Sequence, residues 1–131
     1  MSSQHHDARR WLRATNAAQE EVEAVLAALP LEVAARLTEL PITFDPKPNA
    51  AMCAGGIDPD RTLGLFSGVP YARAIDVSQR LPPQIILFLE NILAYVRDDL
   101  PEFRVQVRRT LLHEIGHYLG LDEDGVDQRG L

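Results

Sequence analysis

Phe103, Val107, Leu111, Ile115 and Leu119 recur at every fourth position near the end of the chain. On a helix of 3.6 residues per turn they make one apolar stripe, with His113 and His117 on a roughly opposite flank. Pro101 suits the first turn of such a helix and Gly120 suits its end, so the spacing predicts a helix over 101–119. A stripe of this length has to be covered. The remainder of the chain must therefore supply what covers it.

Residues 1–15 are polar and charged, with His5, His6, Arg9, Arg10 and Arg13 clustered ahead of any clear periodicity. They read as a flexible N-terminal segment, and His5-His6 as an exposed, solvated pair. Residues 16–131 read as one domain. From Asn16, Val22, Val25, Leu26 and Leu29 follow helical spacing, and Glu20, Glu21 and Glu23 sit in the early turns where carboxylates suit the helix dipole. Pro30 ends that helix and opens a second over 31–40, which stops at Pro41. Ile42-Thr43-Phe44 is a short strand, and 45–60 is loop-like throughout. Residues 61–66 form a second strand, in which Gly64 marks a bulge or a close approach. Gln84-Ile85-Ile86-Leu87-Phe88-Leu89 is a continuous apolar run of strand length, as expected of a central strand buried on both faces. A short helix then runs to about Arg97. This order gives an α+β fold, a small mixed β-sheet packed on helices.

The predicted last helix carries His113-Glu114-Ile115-Gly116-His117, followed by Gly120. Histidines four apart stack one turn above the other, so both imidazoles can reach one zinc ion, and the glutamate between them is placed to act as a base. A catalytic zinc also needs a third protein ligand and an open position for water. Residues 118–131 contain no histidine, so Asp122, Glu123, Asp124 and Asp127 are the downstream candidates. If the chain turns back at Gly120, the residue three beyond it is best placed, which nominates Glu123, with Asp122 and Asp124 as close competitors. The plain alternatives are an amphipathic helix with two surface histidines and a solvated acidic turn.

The run from His113 to Glu123 resembles the extended HExxHxxG motif of zincins, with an acidic residue where metzincins place a third histidine. Met1 and Met52 both precede it, so the metzincin methionine turn is absent. Together with Leu63–Pro70, Leu81–Phe88 and Val107–Glu114, it resembles the minimal zincin-like metallopeptidase family of small bacterial proteins, over roughly Leu37 to Leu121. The resemblance implies a small zincin-like fold with a C-terminal active-site helix. It also implies zinc held by His113, His117 and an acidic residue, and Glu114 as the base for hydrolysis of a peptide or protein substrate. The alternative is a non-catalytic zinc-binding or protein-interaction module of the same fold.

Composition excludes other classes. The 131 residues, 46% of them hydrophobic, suit one domain that folds without staples, so a metal would be functional. A net charge of −6 argues against nucleic acid and against an anionic membrane surface, since both call for a basic face. Cys53, the single cysteine, makes no internal disulfide, and no apolar leader opens the chain, so a cytoplasmic protein is expected. Cys53 reads as inert, and Trp11, Phe44 and Tyr118 as packing residues. Tyr71 and Arg73, in a loop after the second strand, are further candidates, with Tyr71 and Tyr118 able in principle to stabilise an oxyanion.

Overall fold

A computed structural model describes residues 2–68 and 83–120. Its elements are α1 (Ser2–Ala28), α2 (Leu31–Arg36), β1 (Ile42–Asp45), α3 (Ala50–Ala54), β2 (Gly64–Ser67), β3 (Gln84–Phe88), α4 (Leu89–Tyr95) and α5 (Leu100–Tyr118). The fold is α+β, as the element order implies. The three strands lie in the order β1-β3-β2. β3 runs parallel to β1, with Ile42 opposite Ile85, and antiparallel to β2, with Phe66 opposite Ile85 from the other side. The continuous apolar run takes the central place because it can be buried on both faces. Ile85 and Leu87 enter the main core, while Ile86 and Phe88 point the other way and are buried as well.

On the core face of the sheet lies α5, and its apolar stripe is sealed: Phe103, Val107, Leu111 and Ile115 are each 0% exposed. The helix is capped by Asp99, whose carboxylate accepts from the Glu102 backbone N–H at 3.0 Å, with Pro101 in the first turn. Gly120 follows its end at φ +82°, a left-handed conformation that glycine adopts without penalty.

α1 covers the back of α5, and here the structure corrects the sequence reading. The helix begins at Ser2, not near Asn16, so the N-terminal residues are not simply a loose segment ahead of the domain. Ala14 is buried and Trp11 packs against the core from within that segment. The inward positions of α1 are Ala14, Ala17, Ala18, Val22 and Val25. Alanines bring two helix backbones close together, yet among so many charged neighbours they do not stand out as an apolar stripe. Ion pairs lock the two helices further. Arg104 donates to Glu20 and Glu21, each at 2.8 Å, and Arg108 also pairs with Glu21. Farther along α1, Arg10 joins Glu90 of α4 and Asp98 of the α4–α5 turn, both at 2.6 Å.

Two smaller differences concern single turns. α2 ends at Arg36 instead of reaching Leu40, although Leu37 and Leu40 are buried just after it. α3 lies inside the stretch expected to be loop, started by Asn49, whose side chain accepts from the Met52 N–H at 2.8 Å. Among the described residues no helix is long and apolar enough to cross a membrane.

Candidate metal centre

His113, Glu114 and His117 come from the flank of α5 that is left open by the core stripe, and all three are half-buried. One ligand atom from each lies within 4.8 Å of the others. The imidazole rings stand 4.7 Å apart, centroid to centroid, at 83° to one another. Imidazole nitrogens suit zinc, and both rings are close enough to turn toward one small ion, with the Glu114 carboxylate beside them as the group placed to act as a base. The four-residue spacing on a rigid helix produces this arrangement directly.

The glutamate is tied to the sheet. Its Oε1 accepts the backbone N–H of Phe66 at 2.9 Å. In the antiparallel β2–β3 pair, Leu65 faces Ile86 and Phe88 donates to the carbonyl of Leu63, so the odd-numbered residues of β2 bond to β3. Gly64 and Phe66 therefore turn their amide and carbonyl groups to the opposite edge. Among the described residues no strand pairs with that edge. The candidate centre thus lies beside an open row of strand hydrogen-bonding groups, with Glu114 on one of them.

The close approach of β2 to α5 depends on Gly64. A Cβ built there would stand 2.6 Å from Thr110 Cγ2, 3.3 Å from Leu87 Cδ2 and 3.4 Å from Glu114 Cγ. Of the two readings the sequence offers for this glycine, the close approach describes what is seen. The loop leading into β2 is held by Asn91 at the start of α4, 1% exposed, whose amide donates to the carbonyls of Pro59 and Thr62, each at 2.9 Å. The sequence shows Asn91 only as the residue entering a helix. Its burial depends on a loop far away in sequence, which no local pattern announces.

Tyr118 is core, 6% exposed, with its ring edge-on to Phe66 at 5.5 Å and its hydroxyl donating to the Arg36 carbonyl at 3.3 Å. Trp11 and Phe44 pack against the core as expected. Cys53 is half-buried, its thiol 3.8 Å from the Pro48 carbonyl. Glu123, Asp122, Asp124 and Asp127 lie outside the described residues, as do Tyr71 and Arg73.

Charge behind the site is balanced by the helix pairing. Burial alone would raise the Glu21 carboxyl, but hydrogen bonds and charge from Arg108 and Arg104 outweigh it and hold the group below the usual glutamate range. Arg104 is raised in turn, chiefly by its bond to Glu20.

A family model described as zincin-like metallopeptidase matches residues 37–131, from the end of α2 through β1, β2, β3 and α5. No curated protein matches the chain. The family match covers most of the sequence and takes in the whole His-Glu-His cluster, and on that basis the chain belongs to the zincin-like metallopeptidase family.

Proposed function

We propose that this chain is a zinc-dependent peptidase in which His113, His117 and an acidic residue beyond Gly120, Glu123 by position, hold the metal and Glu114 is the general base. The observation that carries the reading is the cluster of His113, Glu114 and His117, with ligand atoms within 4.8 Å of one another, set beside a strand edge with which no other described strand pairs. Zinc, when bound at such a site, acts as a Lewis acid and lowers the pKa of water to about 7.

The chain's own residues supply the rest. An extended peptide can add to the free edge of β2, where the outward groups of Gly64 and Phe66 offer main-chain hydrogen bonds without regard to side-chain identity. Glu114 must leave the Phe66 N–H as the peptide arrives, which brings its carboxylate to the reacting bond. There it takes a proton from water and returns it to the departing amine. The core stripe and the ion pairs to α1 hold α5 still while this happens. A substrate that binds through its backbone is a peptide or an unfolded protein segment.

The second reading is a zinc-binding module without turnover, with Glu114 serving as a strut between α5 and β2. The bond from Glu114 to Phe66 favours it enough to require a test. Protein purified without an affinity tag and without chelator should carry about one zinc per chain, the stoichiometry of a single centre. Glu114→Gln should keep the zinc and lose turnover of a peptide library by about a hundredfold or more. Bound zinc with no turnover in the unmodified chain would establish the module instead, and absence of zinc would sink both readings.

A further inference from the structure

The peptidase reading leaves one charged side chain at the site without a task. Arg109 stands one turn before His113 on α5 and is exposed. It lines a groove of about 390 Å³ that runs past Gly64, Gln106 and Thr110 to His113 and Glu114. Its neighbours Arg104 and Arg108 face the other way and are held by Glu20 and Glu21 of α1. Arg109 has no carboxylate partner among the described residues.

On the far side of the centre, the space beside His117 is lined, among the described residues, by Leu65, Phe66 and Gly68, with Glu114 as its acidic member and no arginine or lysine. Among the described residues the site is therefore uneven along β2: cationic and polar past Gly64, apolar past Phe66. In a chain of net charge −6, a guanidinium at the mouth of the centre with no carboxylate partner among the described residues gives that end a sign opposite to the whole.

We infer that Arg109 selects substrates that carry a carboxylate on the Gly64 side of the scissile bond. This rests on the peptidase reading. β2 runs from Gly64 toward Ser67, and a peptide paired antiparallel to it, the slightly stronger arrangement, runs from the Phe66 side toward the Gly64 side. The carboxylate accordingly follows the bond that is cut. A guanidinium fork matches a carboxylate in two hydrogen bonds, and the carboxylate comes either from an acidic side chain or from the peptide's own C-terminus.

The test uses the zinc-loaded full chain and sets of peptides that differ at one place: Asp, Asn or Lys scanned across positions on both sides of the cut, and a free C-terminal carboxylate against its amide. Turnover is measured on the unmodified chain, and equilibrium binding on the Glu114→Gln variant. Asp after the cut should exceed Asn in kcat/KM by about fivefold, the scale of a partly exposed ion pair, and the margin should shrink as salt is raised. A gain confined to the free C-terminus would identify that as the source, and a gain at an internal Asp the side chain. Arg109→Gln should level the series and Arg109→Glu should turn it toward Lys, with zinc content retained as the check on folding. Cleavage without acidic preference, or a preference that survives Arg109→Glu, overturns the assignment and leaves the peptidase reading standing. Acid-selective binding without turnover supports the assignment and defeats the peptidase reading. Neither binding nor turnover defeats both.

Discussion

Gly64 decides how close β2 lies to the helix that bears the histidines. A methyl group there would overlap Thr110 Cγ2, and that atom belongs to a 6% exposed side chain packed in the helix-sheet interface. Gly64→Ala should therefore lower stability by about 1–3 kcal/mol through overpacking. It should also displace Glu114 from the Phe66 N–H. Thr110→Ser removes the offending methyl group and keeps the hydroxyl that accepts from Gln106 at 3.2 Å, so the double variant should regain most of the loss. Chemical denaturation of the four proteins measures this, and additive losses in the double variant would show that the two residues do not compete for the same space. At this scale the sequence is uneven in what it discloses. The histidine pair and Glu114 are legible because side-chain identity and helical period together place them. The partner of Glu114 is a backbone N–H, which every residue except proline possesses, so no residue type marks it.

Helices and strands were legible in proportion to how strongly their buried positions differ from their exposed ones. α5 and β3 are read directly, the first from leucine-sized residues four apart and the second from an unbroken apolar run. The first half of α1 is hidden because it meets α5 through alanines, and α3 because a single turn begun by Asn49 leaves almost no periodicity. Charge does part of the work between α1 and α5 that apolar bulk does elsewhere, and this gives the pairing a pH dependence. Glu21 is held below its ordinary value of 4.5 by the two arginines. A carboxyl lowered on folding adds stability above its unfolded pKa and loses that contribution as pH falls through its folded value. Glu21→Gln should thus cost about 1–2 kcal/mol at neutral pH, as expected of a largely buried carboxylate between two partly exposed arginines. The gap between the two proteins should close as pH drops below 4.5, the point at which ordinary glutamates protonate. A gap that stays constant down to the acid limit would show that Glu21 acts by packing and not by charge.

For the molecule as a whole, the family match and the folded unit have different extents. The match begins at residue 37, yet α1, which precedes it, covers the back of the site helix. A chain beginning at Asn16 would lack Trp11, Ala14 and both ion pairs of Arg10. It should lose about 2–4 kcal/mol, seen as a lower urea midpoint, and zinc retention should weaken with it as α5 loosens. An unchanged midpoint would mean that the first half of α1 contributes only its own helix. The edge of β2, unpaired among the described residues, has a cost at the same scale. A strand with unpaired amide and carbonyl groups invites the matching strand of another copy, and folds commonly guard such an edge with a charge turned toward it. Here the guard is Glu114, seated on Phe66. The carboxylate assigned to water activation also makes the β2 edge a poor template for self-association, so selection for solubility and selection for turnover act on the same atom.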